Sequence, residues 1–291
     1  MKTLFLALLA VLACLGARAQ VTVELSVDQD EFLPNEAIRV AVKISNNSGQ
    51  QLHLGADQTW LVFGMESADG NVVEKTGEVP VVEAFDLESS QMATKYVNLQ
   101  PYFQVSRPDR YKVTASVHIK EWGLTVNSHP VQFDIINGGE LWSQNFGVAT
   151  STQGPPESRK YELIKANYLK EQLRLYVQVG TSDDARVLKV AALGPMVSFN
   201  LPEEQVDRLS RLHVLWQSGG KSFSYAEISP DGAIVSHDTY DNFNSRPHLA
   251  VNANGDVLVQ GGVRRLKPGE LPPVVIPPQP TAPATNPPAK K

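Results

Sequence analysis

Short runs in which apolar and polar residues alternate dominate the first half of the chain. Val21, Val23, Leu25 and Val27 alternate with Thr22, Glu24, Ser26 and Asp28, and Ile38, Val40, Val42 and Ile44 repeat the pattern. A period of two sends successive side chains to opposite faces, so each run predicts a strand with one buried and one wet face. Asn46-Asn47-Ser48-Gly49, and Asp69-Gly70 inside the stretch from Gln58 to Val73, supply residues that tolerate positive φ and predict hairpin turns. Tyr111, Val113, Ala115, Val117 and Ile119 predict a further strand, answered by Leu124, Val126, Val131, Phe133 and Ile135. Residues 20–137 therefore read as a β-sandwich.

Asn137-Gly138-Gly139 marks a boundary, and a second β-rich region follows over 138–265. Tyr176-Val177-Gln178-Val179-Gly180, Leu215-Trp216-Gln217-Ser218-Gly219 and Leu258-Val259-Gln260-Gly261-Gly262 share an apolar-Gln-small-Gly pattern, the glutamines 39 and 43 residues apart. Phe199-Asn200 and Phe243-Asn244 precede the last two, and Ser229-Pro230-Asp231-Gly232 and Asn252-Ala253-Asn254-Gly255-Asp256 read as turns. Repeats of about 40 to 50 residues match a four-stranded propeller blade. Three such units leave three architectures open: a partial propeller completed by self-association, a small closed barrel or trefoil, or stacked hairpins. The reading adopted is an incomplete propeller-like array. One helical interruption is predicted over Pro202–Leu209, where Glu203, Glu204 and Asp207 crowd a first turn.

Two segments carry a resemblance to known families. Pro34-Asn35-Glu36 before a β-branched strand, and Pro108-Asp109-Arg110-Tyr111 leading into another, resemble the bacterial immunoglobulin-like sandwiches that open many exported proteins. In those relatives the tyrosine commonly makes a corner hydrogen bond; Asp109 stands where they carry glycine, and the antibody-type Cys-Trp-Cys core is missing. Arg246 to Val251, continuing through Asn254-Gly255-Asp256 to Gln260, resembles blade strands of exported bacterial propellers. The resemblances imply an all-β protein: an immunoglobulin-like sandwich, then a three-repeat, propeller-blade-like domain.

Composition adds the compartment. Met1-Lys2-Thr3, the apolar run Leu4–Gly16 and Ala17-Arg18-Ala19 have the layout of a cleavable secretory signal over residues 1–19. The run is shorter than the roughly 20 residues a membrane-spanning helix needs, so no transmembrane segment is expected. The chain reads as exported, periplasmic or secreted. Val11-Leu12-Ala13-Cys14 offers the competing reading of a lipoprotein anchored through Cys14. Cys14 is the only cysteine, so the mature chain contains no disulfide and relies on buried apolar surface. Without residues 1–19 there remain 24 basic and 31 acidic residues, a net charge of −7, which argues against nucleic-acid binding. Nine prolines between Pro268 and Pro288 predict a disordered, extended tail over 266–291.

The search for reactive groups returns no catalytic, metal or cofactor set. No His-Glu-x-x-His box or Gly-x-Ser-x-Gly elbow occurs among the residues. Asn252-x-Asn254-Gly255-Asp256 has oxygens at calcium-loop spacing, yet without a following glutamate it reads as a hairpin turn. The densest polar cluster is His237-Asp238 with Tyr240, from which a dispersed hydrolase site could be built. Among Trp60, Trp122, Trp142 and Trp216, Trp122 in the loop Glu121-Trp122-Gly123 and Trp216 are the candidates for stacking on sugar rings. The expected binding residues are thus Trp122, Trp216, His237, Asp238 and Tyr240. The expected function is a non-enzymatic binding protein of the cell envelope or extracellular space with a protein or glycan partner; a carbohydrate-binding protein is the alternative, and a hydrolase the third.

Overall fold

The computed structural model describes residues 21–148, 157–168 and 172–270. The expected signal segment with Cys14, and residues 271–291 of the proline-rich segment, lie outside the described residues. Apart from two short 3-10 turns, the regular elements among the described residues are all β-strands.

Strands β1 (Val21–Val27), β2 (Glu31–Phe32), β3 (Arg39–Asn46), β4 (Leu52–Leu54), β5 (Leu61–Ser67), β6 (Phe85–Leu87), β7 (Gln91–Asn98), β8 (Asp109–Ile119), β9 (Leu124–Asn127) and β10 (Val131–Ile135) build the first half. One sheet runs β1-β3-β7 and the other β2-β10-β8-β5, with β9 also on β8 and a small β4-β6 pair beside them. The alternating residues meet between the sheets: Ile38, Val40, Val42 and Ile44 from one, Phe63, Val113, Ala115, Val117 and Phe133 from the other. At Pro34-Asn35-Glu36 the backbone turns through Asn35, φ 63°. The buried Glu36 carboxylate, 7% exposed, accepts the Leu33 amide at 2.8 Å and the Gln29 side chain at 2.9 Å. The Tyr111 hydroxyl donates to the Arg107 carbonyl at 2.9 Å, closing the corner that leads into β8.

The second half is a stack. Strands β11 (Gly139–Val148), β12 (Glu157–Tyr168), β13 (Gln172–Thr181) and β14 (Val187–Pro195) form one antiparallel meander. A second meander follows in β15 (Glu203–Val206), β16 (Leu212–Gln217), β17 (Ser222–Ile228) and β18 (Ile234–Asp241). Then come a separate hairpin, β19 (His248–Val251) with β20 (Val257–Gln260), and β21 (Val263–Arg264), which returns to the edge of β18. Tyr161, Leu163, Val177 and Val179 of the first meander pack against Leu212, Val214, Trp216, Ala226 and Ile228 of the second. The first meander turns its other face, Ala166, Tyr176 and Val190, to Leu33 of the sandwich. The second turns Leu215, Phe223 and Tyr225 to Leu249 and Val259 of the hairpin. The order is therefore sandwich, meander, meander, hairpin, each layer burying a face its neighbour could not bury alone.

Three expectations are corrected. The helix over Pro202–Leu209 is instead strand β15, whose Glu203–Val206 pair with Leu215–Leu212. Tertiary pairing overrides the acidic local signal, and Glu203 is used as an acceptor for the Leu249 amide at 2.8 Å rather than as a helix-terminal charge. The glutamine spacing is not the structural period: Gln178 sits on the third strand of its meander and Gln217 on the second strand of the next, and Gln260, though it ends the matching second strand β20, is 43 rather than 45 residues on. Turns carry the true repeat. Asp207 Oδ1 accepts the amides of Leu209 and Arg211, and Asn252 Oδ1 accepts those of Asn254 and Asp256, 45 residues on. The left-handed position of the same turn falls at Ser210, φ 59°, and at Gly255, φ 83°. Third, residues 266–270 of the expected disordered tail form a turn, in which the Lys267 amide donates to Glu270 and Arg264 pairs with the same carboxylate.

The 45-residue offset also explains why the third unit stops. Moved forward by that amount, β17 would fall on residues 267–273, which contain Pro268, Pro272 and Pro273. Proline has no amide hydrogen for a ladder, so the sequence at that offset lacks the donors that β17 offers.

Candidate functional site: the open end of the stack

The outer face of the second meander is fixed by strand alternation. With Ala226 and Ile228 turned inward, Phe223, Tyr225 and Glu227 face out, and their cross-strand partners Tyr240, Asp238 and Ser236 share that face. His213 and Leu215 of β16 join them. The terminal hairpin covers this face only in part, through Leu249 and Val259.

Charges on the uncovered part are matched. Asp238 lies 3.2 Å from Arg264 and 3.0 Å from Lys267, and Arg264 is also 2.7 Å from Glu270. Arg211 joins Glu227 at 2.6 Å and Asp207 at 2.8 Å. Beneath them runs a buried polar chain: His213 Nδ1 is 2.7 Å from the Tyr225 hydroxyl, and its Nε2 is 3.3 Å from Asp207 Oδ2. Burial pushes the Tyr225 hydroxyl up to about 12. Burial also acts to raise the Asp207 carboxyl, but donors from the Arg211 amide, His213, the Arg211 side chain and the Leu209 amide outweigh it and hold the group below its ordinary value. His213 is 3% exposed and Tyr225 8%, so the chain ties the β15–β16 turn to β17 and presents no nucleophile to solvent. Among the described residues there is no cluster of three or more His, Cys, Asp or Glu placed to hold a metal.

The hairpin has two different edges. On β19 the Leu249 amide donates to Glu203 instead of to β20. In an antiparallel ladder the residue opposite must then also point its backbone groups away, and Leu249 stands opposite Val259. Val251 and Val257 form the next such pair. The N–H and C=O of Val257 and Val259 therefore project from the free edge of β20, which pairs with no strand among the described residues. The edge sequence Val257-Leu258-Val259-Gln260 contains no charge and no proline, the usual protections of an exposed edge. Leu258 is 39% exposed beside it.

The structure sorts the residues singled out from the sequence into two pairs on opposite faces of the second meander and leaves Trp122 apart. Asp238 and Tyr240 stand on the outer face, where burial and then the Asp238 charge raise the Tyr240 hydroxyl. His237 projects to the opposite face, its ring 5.8 Å from Trp216 and its Nε2 3.2 Å from the Leu193 carbonyl. Trp216 is 2% exposed and donates from Nε1 to the Pro195 carbonyl at 2.9 Å, so the expectation that its ring offers a sugar-stacking face is corrected. Trp122 ends a 3-10 turn, Lys120–Trp122, half-buried against the core of the first sandwich and in a different layer from Trp216. No shared tryptophan platform exists. Asp207, His213 and Tyr225 were not anticipated. The available signal was a histidine inside the run Leu212–Trp216, where both faces are buried and a polar ring needs partners.

A second concave feature lies where sandwich and meanders meet. It is a cavity of about 450 Å³ lined by Asp28, Glu36 and Arg39 on one side and Arg174, Lys189 and Ile234 on the other. Arg174 donates to Oε1 of the Gln29 side chain at 3.4 Å, extending the Glu36–Gln29 contact across the seam.

No protein-family model matches the chain, and no curated protein matches it. Among solved structures the chain is similar to the sporulation control protein Spo0M from Bacillus subtilis, at 9% identity over 60% of this chain and 91% of that one, with a TM-score of 0.30. A likeness at that level shows no common function.

Proposed function

We propose that this chain is an exported, non-enzymatic binding protein that docks a protein partner on the open end of its sheet stack. Residues 20–137 are taken as an immunoglobulin-like sandwich, a reading supported by the two facing sheets and the Tyr111 corner bond. Residues 138–265 are taken as a propeller-like array, supported by two four-stranded meanders stacked face to face and by the 45-residue turn repeat. Export rests on the leader sequence.

The observation that carries the reading is the half-built third unit. At one end of the stack the sandwich covers the first meander; at the other, a two-stranded hairpin covers the second only in part and has one strand edge that pairs with nothing among the described residues. A protein is favoured over a glycan because, of the two tryptophans expected to stack on sugar, Trp216 is buried and Trp122 stands in a different layer, half-buried against the core of the first sandwich. A photo-crosslinking residue at Leu258, compared with one at the exposed Met92 on β7 in the first sandwich, tests this in the envelope of the source cell. The expected result is a defined crosslinked partner from position 258 alone. Equal labelling from both positions, or none from 258, overturns the proposal.

A further inference from the structure

We infer that β20 is a template for strand addition: the partner contributes an extended segment that takes the place β17 holds in the second meander. This rests on the docking proposal above and names its chemistry. The template is the chain's own geometry. In the second meander β16 carries β17 on its outer edge, with Leu212 opposite Ile228 and Val214 opposite Ala226. The turn repeat maps Leu212 onto Val257 and Val214 onto Val259, the two residues whose backbone groups project from β20. Among the described residues no strand pairs with that edge, and the stretch at the matching offset, 267–273, carries three prolines, which lack ladder amides. The occupant is thus a segment from another protein, proline-free for about five to seven residues, an ordinary strand length. Its backbone supplies the hydrogen bonds and its alternate side chains the specificity. Its inward side chains are small or apolar, as Ser224, Ala226 and Ile228 are in β17, because they descend onto the layer beneath.

The residues of β17 that bond to β16 set the test. The Asp207 amide bonds to the Arg211 carbonyl, so the ladder alternation directs Leu212, Val214 and Trp216 outward to Ile228, Ala226 and Ser224. A capped synthetic peptide copying Ser222–Ile228 is therefore the probe, titrated into the mature protein while amide exchange is followed by NMR. Saturable binding is expected, with new protection at Val257 and Val259. Methylating the peptide nitrogen at the Ala226 position should weaken binding at least tenfold, whereas methylation at the Tyr225 position, whose amide faces away, should change it less than threefold. On the protein, Val259→Pro removes the outward N–H but no hydrogen bond of the hairpin, and should also weaken binding at least tenfold while the far-ultraviolet spectrum stays unchanged. Indifference to which nitrogen is methylated overturns the inference, as does protection confined to other strands. So does a dimer, found without peptide and dissolved by Val259→Pro, since a second copy would then fill the edge. If crosslinking from position 258 succeeds while Val259→Pro leaves the yield unchanged, strand addition fails and the docking proposal stands.

Discussion

Asp207 offers a sharp energetic test, because the chain contains its own comparison. Its Oδ1 accepts the Leu209 and Arg211 amides at 2.8 Å each, and its Oδ2 accepts Arg211 Nε at 2.8 Å and faces His213 Nε2 at 3.3 Å. In the equivalent turn Asn252 performs the Oδ1 role alone. Asp207→Asn should therefore preserve the turn but point an amide NH₂ at Arg211 and His213. Losing a charge-assisted hydrogen bond at a site 5% exposed costs about 2 kcal/mol. Asp207→Ala additionally strands the two turn amides, worth about 1 kcal/mol as in a lost cap, for a total of roughly 3 kcal/mol. Urea unfolding at pH 7 measures both. The pH dependence supplies a second check. Because the folded carboxyl is held below its ordinary value, its contribution is present above the unfolded value of about 3.9 and is lost as pH falls through the lower folded value. The gap between wild type and Asp207→Asn should accordingly shrink below about pH 4. Equal losses for the two variants at pH 7, or a gap that persists undiminished at pH 3, would refute the reasoning.

Trp216→Ala should cost roughly 3–5 kcal/mol in urea unfolding, as for a large buried aromatic, and leave glycan-array signals unchanged. A loss of specific glycan binding without loss of stability would contradict its placement. Tyr111→Phe removes one corner hydrogen bond and should lower stability by about 1 kcal/mol with no change in the urea dependence. Glu204 has its carboxyl raised, first by burial and then by the Glu203 charge. Its favourable, protonated contribution is present below the unfolded value and lost as pH rises through the folded one, so Glu204→Gln should stabilise at pH 7 and lose that advantage at pH 4. Chemical denaturation at the two pH values decides it.

The sandwich was legible because one face of each strand is wet: Val21 to Val27 and Ile38 to Ile44 alternate in sequence as they do in burial. The stacked meanders were harder to read. In β16 and β17 both faces are buried, so Leu212–Trp216 and Phe223–Ala226 lose the alternation that marks a strand. The repeat was noticed in the glutamines, of which Gln178 lies on a non-equivalent strand and Gln260 ends the strand equivalent to that of Gln217 but two residues out of register, while its physical carriers were turn residues of different identity, Asp207 with Ser210 and Asn252 with Gly255. What unites those pairs is a side-chain acceptor followed by a positive φ, and a search for letters misses it. The site was legible in half. Asp238 and Tyr240 share a face because they are two apart on a strand, and adjacency in sequence put His237 on the other. The open edge of β20 follows from where Glu203 reaches, a contact 46 residues long that no local pattern encodes.

Amide hydrogen exchange on the free protein tests the central claim most directly. Ala250 and Leu258 belong to the hydrogen-bonded pairs of the hairpin, whereas Val257 and Val259 point outward. The account predicts slow exchange at Ala250 and Leu258 and fast exchange at Val257 and Val259. Protection of Val257 and Val259 equal to that of their neighbours in the isolated chain would mean that the edge is already filled, and would contradict it.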